Sequence, residues 1–391
     1  MTAYANTTAA TAGLAKLNQT PFYFQAQSEV IPGISDKYLS LALPIIIYWI
    51  ASLFYHLLDT LELPFTEKYR LHEPEEVTKR NRVSVTRVIV MVVVQQIIQT
   101  IFGVLLLDDD SVGLKQTFAD HPAKVLDLAL FLRSTTSKLL GPSLEPQITK
   151  LLFGSQDAIS AAWWLYWWGI PTAQFWFAFF VMDAWQYTLH RLFHESRFLY
   201  RHFHSHHHRL YVPYAFGALY NHPVEGLLLD SAGAAISHAA ALMTVRQGIV
   251  LFTFSTLKTV ADHGGYAFPW YLDPLHLVFP NCAEYHDVHH QMTGLRYNYS
   301  QPFFVHFDVL FGTRISADKF QKMKRLAEQR RAAEKSAAAA EGNKDKVNGS
   351  SAPQLSGKDA TPAEIVDKSS DPFVTTTKRS YAAKAGTSTD E

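Results

Sequence analysis

This sequence predicts an all-α integral membrane protein: about four to five transmembrane helices and a cytosolic, histidine-rich helical cap holding a dinuclear metal site. Three observations carry that expectation. Several stretches stay apolar for about the length of a bilayer crossing. Fourteen of the eighteen histidines fall between His190 and His290, many at helical spacing. A single cysteine, Cys282, excludes an intrachain disulfide and any thiolate-built metal site. Charge is balanced at 35 acidic and 35 basic side chains, so there is no basic field of the kind nucleic-acid binders carry.

Residues 1–38 read as a luminal segment. The first fourteen are rich in Thr and Ala, uncharged and without a compact apolar run, so an internal first span is expected to act as the anchor. Asn6 and Asn18 head glycosylation sequons. An N-terminal transmembrane region follows over 39–160. Its first span, 39–63, confines His56, Asp59 and Glu62 to its second half, and its second, 88–107, is interrupted only by Gln95, Gln96 and Gln99. A third span, 161–182, is Trp-rich, as interfacial segments tend to be. It opens a catalytic domain over 161–315. Two weaker stretches, 224–245 and 248–261, read either as a hairpin of two spans or as buried core helices. Beyond 315 the composition turns to Lys, Glu, Ala and Ser, predicting a charged helix over 319–340 and disorder from Glu341 in a cytosolic tail of 316–391.

Orientation follows from the loop between the first two spans, where Lys68, Arg70, Lys79, Arg80, Arg82 and Arg87 argue for the cytosolic side. Counting spans from there, the acidic run at 108–110 emerges on the opposite face. Every histidine cluster then returns to the cytosol.

The clusters are His190-x3-His194, His204-x2-His207-His208 and His286-x2-His289-His290, with His263 alone in Asp262-His263-Gly264-Gly265. Residues i, i+3 and i+4 share a helical face, so each cluster is expected to aim its rings at one point. One tetrahedral metal needs four ligands and a catalytic zinc three, so nine motif histidines favour two metals. His222 is a tenth candidate; the alternative is a ring capping the turn before Pro223. Imidazole without thiolate suits zinc, iron or copper, and iron if the chemistry is redox. Asp183, two helical turns before His190, is the candidate carboxylate of the catalytic site, holding a ligand ring by a hydrogen bond; an ordinary polar residue at a span end is the alternative. Glu225 reads as a helix N-terminal carboxylate or a substrate contact. His202 and His206 read as supporting or surface residues, and His238, His276 and His306 as structural. A zinc protease is disfavoured because His194-Glu195 is followed by Ser-Arg-Phe198 and no H-E-x-x-H occurs. A zinc transporter is disfavoured because the clusters flank the apolar runs instead of lying inside them.

Taken together, these motifs, with Asp262-His263-Gly-Gly-Tyr266 and the closing Phe303-Phe-Val-His306-Phe-Asp308-Val-Leu-Phe-Gly312-Thr313, resemble the fatty acid hydroxylase/sterol desaturase superfamily of membrane di-iron oxygenases. Tyr200-Arg-His-Phe-His-Ser-His-His-His208, Tyr211-Val-Pro-Tyr-Ala-Phe-Gly217 and Asn221-His-Pro-Val-Glu225-Gly226 are more narrowly similar to the fungal sphinganine C4-hydroxylases. The resemblance implies two iron ions on the motif histidines, O2 as oxidant, and electrons from NAD(P)H through cytochrome b5 and its reductase. It further implies a sphinganine or dihydroceramide substrate and a home in the endoplasmic reticulum membrane. Some relatives place a second histidine four residues after the one matching His263; here that position is Ala267. A sterol or fatty-chain oxidase of the same superfamily is the nearest alternative.

Overall fold

The computed structural model of the protein describes residues 15–27, 29–107, 120–153 and 158–348. Among them every regular element is helical, and the β-type pairings are the isolated bridges Ile31–Ile34 and Arg70–Tyr266. The Asn6 sequon, the acidic run at 108–110 and the tail from 349 lie outside the described residues.

Helix α1 (Asp36–Leu61) begins where the Ser35 hydroxyl accepts from the Lys37 amide. It ends at Glu62, which turns left-handed at φ 45°. Tyr48, Ala51, Ser52 and Tyr55 are buried on one side, while Ile46, Ile50, Leu53 and Phe54 stand exposed on the other. Large apolar groups on the outer face suit lipid and not water. Helix α2 (Val85–Leu106), started by Ser84 accepting from the Arg87 amide, repeats the pattern with Val90, Ile97 and Ile101 outside and Gln95 and Gln96 inside. These two helices are long and apolar enough to cross a membrane, and each starts three residues before the predicted span.

The remaining apolar stretches are more broken than expected. Helix α3 (His121–Leu140), which the sequence pattern does not single out, packs Val125 and Ala129 against Ala162. The predicted span 161–182 comprises the end of a short helix (Ala158–Trp164), a wide π-type turn (Leu165–Gly169) and the start of α4 (Ile170–Glu195). Helix α4 runs on past the predicted end and turns Met182, Asp183, Gln186, His190 and His194 inward. The stretch 224–245 is not one rod: a turn of helix (Pro223–Gly226), a π-type turn (Leu227–Ala232) and α5 (Gly233–Ala240) follow one another. Helix α6 (Val245–Asp262) starts at a reciprocal cap between Thr244 and Gln247 and packs along α1. Helix α7 (Ala283–His290) carries the last histidine motif.

Two hydrophobic clusters hold the histidine-bearing segments. Phe179, Phe254, Phe279 and Phe303 form one, with the Phe179 and Phe303 rings 4.3 Å apart. Tyr48, Val88, Leu210, Phe216, Val260 and Tyr266 belong to the other. The described residues from Asp318 onward form a separate unit. Helix α8 (Ala317–Asn348) covers the predicted charged helix and continues past Glu341, where disorder was expected; the Ala-rich run before it favours continued helix.

Candidate metal centre

Nine buried imidazoles form two groups, the candidate ligand atoms within each lying within 4.8 Å of one another. His190, His194, His204, His208 and His289 make the first; His207, His263, His286 and His290 the second. Each H-x2-H-H motif therefore serves both groups, where the spacing alone suggested one target per motif. Helical geometry explains the split within α7. At ~100° per residue, positions i and i+4 diverge by ~40°, while i+3 and i+4 diverge by ~100°. So in α7 His286 stays with His290 while His289 crosses to the opposite group; His204, His207 and His208 divide the same way across a π-type turn (Tyr200–His204) and a 3-10 turn (His207–Arg209).

Hydrogen bonds at the other ring nitrogen fix what these rings can do. His190 Nδ1 donates to the Tyr299 carbonyl, His289 Nδ1 to Tyr297, His263 Nδ1 to Thr259 and His290 Nδ1 to Leu210, each at 2.8 Å. His207 Nδ1 donates to the Tyr220 carbonyl at 3.2 Å, and His204 Nδ1 to the buried Glu225 carboxylate. A carbonyl can only accept, so Nδ1 holds the proton and Nε2 presents a lone pair. Those lone pairs point at one another: His190 and His204 Nε2 are 3.1 Å apart, His207 and His263 3.5 Å. His286 Nε2 lies 3.0 Å from both His263 and His290 Nε2. His289 Nε2 is buried with no hydrogen-bond partner. Facing lone pairs repel unless a cation stands between them. Ligands on ~2.1 Å metal–nitrogen bonds sit roughly 3 Å or slightly more from each other, so the spacing fits a metal of this type. Burial also holds the rings neutral, as ligands must be: it lowers His207 to about 4 and His289 to about 3.

The supporting residues differ from those the sequence suggested. Asp183 does not reach a ligand ring. Seven residues is ~10.5 Å along a helix, too far for contact, and its carboxylate instead accepts from the Phe303 and Phe304 amides at 3.1 and 2.6 Å. Glu225, fully buried, takes the ring-orienting role through His204. His222 stands outside both groups, its Nδ1 accepting from the Val224 amide at 3.2 Å as the cap of Pro223–Gly226. His202 bonds to the Phe198 carbonyl, His206 lies beside His222, His238 reaches the Thr244 carbonyl, His276 pairs with Asp273 and His306 stacks on Phe180. Asp308, in the closing motif, is a residue that spacing alone does not single out. Fully buried, it accepts from the Tyr299 and Ser300 amides at 3.0 and 2.7 Å and from the Thr313 hydroxyl at 2.6 Å, fixing the loop whose carbonyls hold His190 and His289. Asn298 sits between those carbonyls at φ 56°, a left-handed conformation asparagine tolerates. Beside the second group, buried Lys258 pairs with Asp262 and donates to the Asn281 carbonyl at 2.9 Å, tying the end of α6 to the approach of α7.

Two cavities adjoin, the smaller one at the rings. A small one of ≈ 30 Å³ is lined by His204, His207, His263 and His286. A larger, mainly apolar one of ≈ 570 Å³ runs between α1, α2, α5 and α6, and the two share Gln186, Asp230, Thr259 and Pro302 in their walls.

Fold and site define a class: a helical protein with two membrane-length apolar helices and a buried all-imidazole site suited to metal. The Fatty acid hydroxylase family model matches residues 175–313, which contain all nine rings. The chain is 44% identical over 275 residues to the sphingolipid C4-hydroxylase sur2 of Schizosaccharomyces pombe, covering 70% of this chain and 87% of that protein. It is 40% identical over 300 residues to sphingolipid C4-hydroxylase SUR2 of Saccharomyces cerevisiae, covering 76% and 78%. To sphinganine C4-monooxygenase 1 of Arabidopsis thaliana it is 40% identical over 281 residues, covering 72% and 88%. No solved structure matches. The chain belongs to the fatty acid hydroxylase family.

Proposed function

We propose that this protein is a sphingolipid C4-monooxygenase, converting sphinganine or dihydroceramide to the 4-hydroxylated, phytosphingosine-type base. The observation that carries the reading is the pair of adjacent imidazole groups with opposed lone pairs, set at the end of an apolar cavity. The names of the most similar relatives support the same reaction. In the overall balance one atom of O2 enters the C4–H bond, the other leaves as water, and two electrons and two protons are consumed. The five-ring and four-ring groups would each hold an iron, which when bound supplies the redox chemistry that O2 cleavage and attack on an unactivated C–H bond require.

The chain's own residues do the rest. Backbone carbonyls and Glu225 fix the tautomer and aim of six rings, so the ligands are set before metal arrives. Burial of all nine rings limits water at the reacting carbon. The larger cavity takes the hydrocarbon chain, placing the carbons near the polar head beside the small cavity. Electrons come from NAD(P)H through cytochrome b5. The protein crosses the endoplasmic reticulum membrane four or five times, with the site on the cytosolic face. In this reading 161–315 is the catalytic domain, 39–160 the N-terminal membrane region, 1–38 luminal and 316–391 a cytosolic tail.

The test is expression in cells lacking 4-hydroxylated long-chain bases, with mass spectrometry of their lipids. Phytosphingosine-type bases are expected with the intact chain and not with His207→Ala. Persistent sphinganine despite membrane-inserted, metal-loaded protein would overturn the assignment.

A further inference from the structure

Where the two cavities join, one carboxylate faces the opening without a cation. Asp230 lies in the π-type turn Leu227–Ala232 and lines both the small cavity at the rings and the apolar cavity beyond it. Among the described residues no ion pair includes it. Its near neighbours are neutral amides: Gln95 Nε2 donates to Asp230 Oδ2 at 3.3 Å, while Asn221 lines the small cavity with it and Gln99 the large one. Gln95, 1% exposed, keeps its own Oε1 without a partner. The contact is built into the backbone, since a Cβ on Gly226 would lie 2.4 Å from the Gln95 amide nitrogen. A carboxylate among amides, at an apolar entrance, is costly without a counter-ion and discriminates strongly in favour of a ligand that brings one.

We propose that Asp230 is the specificity-determining acceptor for the substrate's primary ammonium, so that the preferred substrate is the free, single-chain long-chain base and not its N-acylated form. This rests on the C4-hydroxylase reading above. The dimensions agree. The amine of such a base sits two carbons from C4, and Asp230 lines the same small cavity as four of the ligand rings. The apolar cavity is walled by α6 from Val245 to Thr259, ~21 Å of helix, against the ~15 Å hydrocarbon depth of one bilayer leaflet. One long chain fits along it with its charged end at Asp230.

The experiment uses the purified, iron-loaded full chain and two lipids of equal chain length, sphinganine and N-acetylsphinganine, which differ in charge but not in chain number. Turnover and equilibrium binding are both measured. The wild-type protein is expected to favour sphinganine in both, and Asp230→Asn to reduce that preference by about tenfold or more, chiefly through KM. Asp230→Glu, with unchanged metal content, should retain it. Equal handling of the two lipids by the wild-type protein, or an unchanged preference in Asp230→Asn, overturns the proposal. Binding that prefers sphinganine without any hydroxylation would count against the reaction and leave the role of Asp230 standing.

Discussion

The two imidazole groups are built from interlocking motifs yet differ in surroundings. The five-ring group is braced by carboxylates: Glu225 directly on His204, and Asp308 through the loop that presents Tyr297 and Tyr299. The four-ring group has carbonyls from Tyr220, Thr259 and Leu210, with the Lys258–Asp262 pair securing its neighbouring segments. Three of its four rings, His207, His263 and His286, line the small cavity, against His204 alone from the other group. Closed, ligand-rich metal sites hold structure, while sites short of ligands leave room for chemistry. On the proposed function, the contrast would give the substrate-facing part to the four-ring group and a reserve of ligands to the five-ring group.

That contrast can be broken from either side. The largest effect is expected from His207→Ala or His263→Ala, which leave three rings: hydroxylation should fall to background and the bound metal by about half, read by elemental analysis of the purified protein. His190→Ala leaves four rings and should keep more metal than either; equal loss would remove the distinction. Glu225→Gln should weaken metal retention by about 10–100-fold in a chelator competition, with the five-ring group releasing first.

Acidity gives a smaller, graded test on the metal-free protein. His207 and His289 are held down to about 4 and 3 by burial, below the ~6.5 of an unfolded chain. The unfolded state therefore takes up protons that the folded state refuses. Stability should be full above about pH 6.5 and decline as pH falls toward 4, followed by thermal unfolding in detergent. A flat profile across that window would mean the rings are less buried than described. The smallest effect belongs to His222→Ala, which should cost about 1 kcal/mol as a lost helix cap while metal content stays unchanged.

Much of this was legible in the sequence, and the gaps have physical causes. The ring inventory could be read because i and i+4 spacing is a local property of the helix, as in His190 with His194. Membrane length in α1 and α2 is equally local. The crossing of His289 was implicit in the same geometry but needed the angle between i+3 and i+4, not just a shared face; that of His207 was hidden because its segment turns as π-type and 3-10 helix. Asp183 misled because angular agreement over seven residues ignores axial distance. Glu225 and Asp308 were out of reach because their partners are, respectively, a ring twenty-one positions earlier and backbone amides in a loop of irregular course. The breaks at Leu165–Gly169 and Leu227–Ala232 escape a hydropathy reading because π-type turns leave composition unchanged.

The exchange of His207 and His289 between groups also bears on how metal would load. Each crossing ring is anchored in a segment whose other two rings belong to the neighbouring group, so both nests hang on one shared scaffold. Each nest should still fill by itself when ferrous ion is titrated into the stripped protein, because its rings are already in place, yet neither motif could be transplanted alone with its ion.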